Sequence, residues 1–296
     1  MRFRKLPKTD LSLSEVSFGC MSLQTNSNEN RELLQSAYDQ GINYFDTADL
    51  YQNGENERLV GEALGPIRNK VIIASKVGNQ MRPDGSGWDW NPTKDYILSA
   101  IDQSLKRLNT DYIDIYQLHG GTIDDLTDET IEAFELLKDQ GKIRHYGISS
   151  IRPNVIRRWI DKSNLVSNMM QYSLLDRRPE ESSLELLGKA SVGIMVRGSV
   201  ARGLLSGKPL EPYLGHDVKE ISRLIDVMKT ISGRSLNEIA VNYVLHRPEV
   251  TTAVVGMRTE GQLMEALAAV EAPSLSKEEI NLLQDAVSAK VYEAHR

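Results

Sequence analysis

The chain has 296 residues, 40% hydrophobic and 26% charged, enough for a sizeable core in one large α/β barrel or two smaller domains. Lys and Arg total 35 against 41 Asp and Glu, a net charge of −6; that field does not favour nucleic acid or an anionic membrane, though it leaves room for a local phosphate pocket. The single cysteine, Cys20, excludes an internal disulfide and a cysteine-rich metal site. No N-terminal apolar h-region and no long apolar run predicts a signal peptide or a membrane span, so a cytoplasmic, single-domain protein over 1–296 is expected.

Residues 2–15 alternate through Arg2, Phe3, Arg4, Lys5 and Leu6, turn at Pro7-Lys8-Thr9-Asp10, and continue with Leu11 and Leu13. That pattern predicts a β-hairpin capping the bottom of the core. Val16–Cys20 reads as the first core strand, and a polar helix near Glu29–Gln40 stops at Gly41. Strand 43–46 precedes a helix near Glu55–Leu64, stopped by Gly65-Pro66. Strand 71–75 precedes a long loop and a helix from about Thr93 to Arg107. Strand 113–118 precedes a helix near Asp128–Gln140. Strand 143–148 precedes a helix opening at Pro153, a favoured first-turn position. Strand 166–170 leads to a helix near Glu181–Lys189, and strand 192–196 to a loop and helices across roughly 217–246. Strand 252–255 leads to a helix from about Glu260, and a last helix covers 276–290.

Strict alternation of strand and helix predicts a parallel sheet, and eight such units predict a closed (β/α)8 TIM barrel. A doubly wound sheet would want a glycine-rich phosphate turn after the first strand, and neither G-x-G-x-x-G nor G-x-x-x-x-G-K-[ST] occurs. Met21, Asp46, Lys76, His119, Ser149, Gln171, Arg197 and Gly256 each fall at or just past the C-terminal end of a different predicted strand. Barrel enzymes assemble their sites on that rim.

The run Asn43-Tyr44-Phe45-Asp46-Thr47-Ala48-Asp49-Leu50-Tyr51 starts as a buried strand, turns polar at Asp46 and then presents a phenol. Lys76 closes the run Val71–Ser75, and His119 closes Ile113–Leu118. A phenol is a poor acid, with pKa about 10. Beside a lysine whose charge is held by a carboxylate it becomes a competent proton donor. Given a hydride source, the group is a site for carbonyl reduction. Each residue also has a bland reading: Asp46 as a turn cap, Tyr51 as packing, His119 as a satisfied core histidine. Lys76 is harder to dismiss, because lysine is rarely buried unpaired, and the coincidence of all of them on one rim weighs against chance. As a zinc site the group is poor, and no metal is expected.

Several stretches in order carry a family resemblance. They are Phe18-Gly19-Cys20-Met21, Asn43 through Tyr51 with Gly54-x-Asn56-Glu57, Ile73-Ala74-Ser75-Lys76, and Asp111 through His119. Further on come Gly141-Lys142-Ile143-Arg144-x-Tyr146-Gly147-Ile148-Ser149, Met170 through Asp176, and Ala201 through Lys208. The chain resembles the aldo-keto reductases over essentially its full length, and the Asp111–His119 and Gly141–Ser149 stretches resemble the short-loop bacterial branch. The resemblance implies that Tyr51 is the general acid, that Lys76 lowers its pKa, and that Asp46 pairs with Lys76. It implies that His119 orients the carbonyl of a small-molecule substrate.

The implied hydride donor is a nicotinamide across the barrel mouth. Ser149 and Gln171 match residues that hydrogen-bond its carboxamide, and Met21, Asp46, Arg197 and Gly198 fall beside it. Gly203, Leu204, Ser206 and Lys208 match the loop over the pyrophosphate, where small residues allow close approach and Lys208 adds charge. Gly256, Arg258, Thr259, Gln262 and Glu265 match the adenosine end. Arg258 and Thr259 near a helix start suit a 2′-phosphate, so NADPH/NADP+ is expected over NADH.

Some positions depart from the family pattern. Arg197 stands where an aromatic usually stacks on the nicotinamide; a guanidinium is planar and can lie on a ring, though it would repel the oxidised one. Ser150 and Ala266 replace common asparagines, and Gly120-Gly121 replaces a bulkier loop start. The loop Met81–Trp90 follows the strand bearing Lys76, and its Trp88 and Trp90 either wall the substrate pocket or pin the loop to the barrel. The short tail at Lys290–Arg296 suggests an open, permissive pocket. A rival reading is a dinucleotide-binding redox sensor or channel-associated subunit on the same fold, against which the intact Asp46, Tyr51, Lys76 and His119 argue. Arg258 and the 203–208 loop argue against a cofactor-free lyase or isomerase.

Overall fold

Before the barrel begins, the chain has built its floor. The computed structural model describes residues 1–23 and 26–296. β1 (Phe3–Lys5) and β2 (Ser12–Ser14) pair antiparallel, Phe3 opposite Ser14 and Lys5 opposite Ser12, as the alternation predicts. Leu6, Leu11 and Leu13 bury in one cluster with Tyr44, Ile72, Ala74, Ile115, Val166 and Met195. The Arg4 guanidinium fixes the hairpin, donating to the carbonyls of Leu245, Arg247 and Val250 at 2.7, 3.1 and 2.7 Å and pairing with Glu15 at 2.7 Å.

The barrel opens with β3 (Val16–Gly19), β4 (Tyr44–Asp46) and β5 (Ile72–Val77). α1 (Asn28–Asp39) and α2 (Glu55–Leu64) connect them. Two short strands follow, β6 (Asn79–Met81) and β7 (Trp88–Trp90), and then α3 (Lys94–Leu108). The rest of the barrel is β8 (Ile113–Leu118), β9 (Ile143–Ile148), β10 (Ser167–Gln171), β11 (Gly193–Arg197) and β12 (Val250–Gly256). Its helices are α4 (Thr127–Asp139), α5 (Pro153–Lys162), α6 (Ser183–Lys189), the pair α7 (Val218–Thr230) and α8 (Leu236–Leu245), then α9 (Glu260–Glu271) and α10 (Lys277–Ala286). The sheet closes as a parallel eight-stranded barrel in which β12 returns to pair with β3, Val255 opposite Phe18. This is the (β/α)8 TIM barrel the alternation predicts.

The period of two along a strand decides what each face carries. On β4 and β5, Phe45 and Ile73 join the larger apolar cluster that includes residues from the surrounding helices, such as Leu59 and Ile101. The opposite face runs upward from the hairpin through Tyr44 and Ile72 to Ala74, and ends at Asp46 and Lys76. The apolar interior thus terminates in the polar pair that faces the mouth.

Two expectations need correction. The stretch after β5 is an antiparallel hairpin, not a long loop: Asn79 pairs with Trp90 and Met81 with Trp88, and Asp84 Oδ1 accepts from the Ser86 amide at 2.9 Å in the turn. Cross-strand pairing of such short segments leaves little alternation to read. The tail is short, yet it folds back over the rim: Tyr292 is buried, Arg296 pairs with Glu181, and the His295 carbonyl accepts from the Asn154 amide at 2.9 Å. Beneath it lies a cavity of about 620 Å3 lined in part by Ile151, Arg152, Arg178 and Tyr292.

Candidate active site

Asp46 and Lys76 reach the mouth from adjacent strands. Lys76 Nζ donates to Asp46 Oδ2 at 2.6 Å and to the Thr47 carbonyl at 2.7 Å, and lies 3.4 Å from the Tyr51 hydroxyl. The Lys76 side chain is 1% exposed and that of Asp46 6%. A buried lysine without such partners would lose its proton. Here burial works against the charge, but Asp46 and then Tyr51 more than offset it, and Lys76 is held above the ordinary lysine range.

Tyr51 arrives by a tight reversal. Gln52 and Asn53 take φ of 46° and 56°, and Gly54 follows at 88°, a left-handed run that L-residues adopt at a cost. A Cβ at Gly54 would stand 2.6 Å from Arg107 Cδ, so glycine serves both the turn and the close approach. The reversal lays the Tyr51 ring beneath Lys76, 5.1 Å from Nζ to the ring centroid. Burial raises the phenol above the usual tyrosine range; Lys76 pulls it down, as expected from the sequence, without overcoming burial. The hydroxyl therefore keeps its proton.

His119 follows β8, its amide donating to the Val77 carbonyl at 2.7 Å. Its ring meets Tyr51 edge-on, centroids 5.8 Å apart, and its Nδ1 is buried without a partner. Burial, reinforced by the Lys76 and Arg197 charges, pushes the imidazole down to about 3, so it is neutral at physiological pH. Behind this group Glu57 is fully buried, accepting from Ser75 Oγ at 2.5 Å and from Arg107 Nε at 2.6 Å. Burial, then the Glu57 charge, raises the nearby Asp49 carboxyl to about 8.

The remaining rim residues lie along β9 to α9. Gln171 is held on every side: its Nε2 donates to Asp176 Oδ2 at 2.8 Å and Tyr213 Oη at 3.1 Å, while its Oε1 accepts from Arg197 at 2.9 Å. Ser149 donates its amide to the Leu118 carbonyl at 2.7 Å. Gly203 has φ of 97°, and the Lys208 stem crosses it so closely that a Cβ would stand 2.6 Å from Lys208 Cδ. Lys208 Nζ donates to the Arg202 carbonyl at 3.1 Å, and Ser206 Oγ to the Gly203 carbonyl at 3.1 Å; Leu204 is buried beside them. Gly198 follows Arg197 with φ of 74°.

At the start of α9, Thr259 Oγ1 caps the Gln262 amide at 3.2 Å and Gln262 Oε1 accepts from the Arg258 amide at 2.8 Å. Gly256 and Arg258 are exposed, as are Met21 near β3 and Glu265 on α9. Ala266 faces the core, fully buried. Among the described residues Arg197, Arg202, Lys208 and Arg258 make no ion pair, unlike Arg178, which chelates Asp176 through Nε and Nη2, each at 2.7 Å. That donor set suits a polyanionic dinucleotide.

Of the two tryptophans, Trp88 is 48% exposed on the hairpin. Trp90 lies at the barrel rim: its indole donates to Asp125 at 2.9 Å and packs over Gly78 and Gly120, the residue after His119. Sequence reasoning passes over Tyr213 and Asp176 as site residues, whereas it reads Trp90, with Trp88, as either a pocket wall or a pin for the loop.

Among the described residues no group of three His, Cys, Asp or Glu is arranged to hold a metal ion, and no helix is long and apolar enough to cross a membrane. Cys20 is buried, and burial raises its thiol far above the usual range.

The sequence profile of the Aldo/keto reductase family matches residues 15–288. The uncharacterized oxidoreductase YqkF of Bacillus subtilis (strain 168) is 48% identical over 306 aligned residues, covering 100% of both chains. The solved holo form of aldo-keto reductase AKR11C1 from Bacillus halodurans is 49% identical, with a TM-score of 0.95 over 100% of this chain and 99% of that one. Its apo form gives a TM-score of 0.87 at 45% identity over the same shares. A profile that spans nearly the whole barrel and relatives alike from end to end place this chain in the aldo/keto reductase family of oxidoreductases.

Proposed function

We propose that the chain, acting as a single domain in the cytoplasm, reduces aldehydes or ketones to alcohols with NADPH. The observation that carries this reading is the contact of Lys76 Nζ with Asp46 at 2.6 Å and with Tyr51 at 3.4 Å. NADPH, when bound, supplies the hydride.

The chain's own residues hold the carbonyl and supply its proton. Neutral His119 orients the carbonyl oxygen beside the Tyr51 hydroxyl. As negative charge builds on that oxygen, Tyr51 donates its proton, because an alkoxide is a stronger base than a phenolate. Lys76 stabilises the phenolate that Tyr51 becomes, and Asp46 keeps Lys76 charged; preorganised charge of this kind costs no rearrangement at the moment of reaction. Ser149 and Gln171 orient the nicotinamide, with Met21 and Gly198 beside it. Gly203, Leu204, Ser206 and Lys208 cover the pyrophosphate, and Gly256, Arg258, Thr259, Gln262 and Glu265 hold the adenosine end. The unpaired cations on that arc favour a ligand with several phosphates, and Arg258 favours NADPH over NADH. Trp88, Tyr51 and His119 face the substrate in this reading, a small carbonyl compound.

The test is loss of NADPH absorbance with a panel of simple aldehydes, for the parent and Tyr51→Phe. Turnover should fall by a factor of about 10² to 10⁴ in the variant, with NADPH still bound. NADPH binding without turnover on any carbonyl would transfer the assignment to a redox sensor.

A further inference from the structure

We infer that Arg197 sets the preference between the two redox forms of the cofactor, weakening NADP+ relative to NADPH. The inference rests on the reductase reading above and adds to it a role for one residue.

Arg197 ends β11, in register with Gln171 on β10 and Val254 on β12. Its Nη1 donates to Gln171 Oε1 at 2.9 Å, and Gln171 is itself fixed by Asp176 and Tyr213. The guanidinium is therefore tethered at the mouth while remaining exposed. The Asp176 carboxylate is engaged by Arg178 at 2.7 Å, and among the described residues no carboxylate forms an ion pair with Arg197.

The charges of the reacting centre then sum simply. Lys76 and Asp46 cancel, Tyr51 is a neutral phenol, and His119 is neutral. Arg197 is the uncompensated charge, and its field is felt at His119, Asp46 and Tyr51. For a hydride and the Tyr51 proton to reach the two atoms of one carbonyl, the nicotinamide must come within the same few ångströms. The reduced ring is neutral and the oxidised ring carries a full positive charge; the phosphates are alike in both forms. Attraction of Arg197 for the phosphates cancels in the ratio of the two affinities, and its repulsion of the oxidised ring does not. At the effective dielectric of a partly exposed site, Coulomb's law puts that repulsion at about tenfold or more in the ratio. An uncharged aromatic there would leave it out.

The experiment measures dissociation constants of the full chain for NADPH and NADP+ by quenching of tryptophan fluorescence, in the parent, Arg197→Met and Arg197→Lys. The expected result is a ratio of Kd(NADP+) to Kd(NADPH) that falls about tenfold in Arg197→Met, the inverse of the Coulomb factor, and stays near the parent value in Arg197→Lys. An unchanged ratio in Arg197→Met, with both forms bound, overturns the inference and leaves the reductase reading standing. Failure of the parent to bind either form overturns both.

Discussion

The ammonium of Lys76 sits 2.6 Å from the Asp46 carboxylate, sealed between two adjacent barrel strands with the Thr47 carbonyl as a second acceptor at 2.7 Å. The two charges depend on each other for their place in the fold. Lys76→Met leaves Asp46 buried and unpaired, and removing one partner of a buried pair costs about 3–5 kcal/mol. The urea midpoint should fall accordingly. The double variant Lys76→Met with Asp46→Leu should recover much of that loss and remain inactive. A double variant as unstable as the single one would refute the coupling.

His119 makes stability depend on pH in a defined window. The unfolded imidazole titrates near 6.5, the folded one near 3, so between those values the unfolded chain binds the extra proton. Stability contributed by keeping His119 neutral is present above 6.5 and is lost as pH falls, at a slope approaching about 1.4 kcal/mol per unit. His119→Asn should flatten the dependence of the urea midpoint between pH 6 and 4, as judged against the parent. Equal slopes in the two proteins would rule this out.

Asp49 acts with the opposite sign. Its folded carboxyl titrates at about 8 against an ordinary 3.8, and its Oδ1 is buried without a partner. Between those values the folded chain holds a proton that the unfolded chain has released, so stability falls as pH rises through the window. Asp49→Asn, which keeps the shape without the charge, should gain about 1–3 kcal/mol over the parent above pH 8 and little or nothing near pH 4. Denaturant titrations at the two pH values decide it.

Gly61 on α2 faces the backbone of Leu108 at the end of α3, and a Cβ there would collide with the Leu108 carbonyl. Alanine would gain helix propensity and still force the helices apart. Gly61→Ala should destabilise by about 1–3 kcal/mol, the usual cost of overpacking. A melting temperature at or above the parent's would mean the pair separates freely.

Lys76 is legible in the sequence because a lysine ending a run of apolar and small residues needs a buried partner, and Asp46 is the acid that ends the neighbouring strand on the same face, opposite Ala74. Helix starts carry local signals too: Asp217 with Glu220, Ser235 with Glu238 and Ser276 with Glu279 each form a reciprocal capping box. Helix ends are less plain. α10 stops at Ala286 rather than running to 290, because Val287 turns extended to bring the tail back over the rim. Glu57 finds Ser75 and Arg107 at separations of 18 and 50 residues, and no local spacing announces such a pair. The net direction of the Tyr51 pKa likewise follows from its burial in the assembled barrel rather than from Lys76 alone.

The floor hairpin ties the start of the chain to its last barrel strand. Arg4 finds its carbonyl acceptors 241, 243 and 246 residues later. During synthesis on the ribosome those acceptors do not exist until the chain is nearly finished, so the Arg4 anchor of the hairpin can close only then. Contacts of such long range form late and slowly. A nascent chain halted before β12 therefore lacks the complete carbonyl anchor of its floor hairpin, and completion of the eighth strand supplies it.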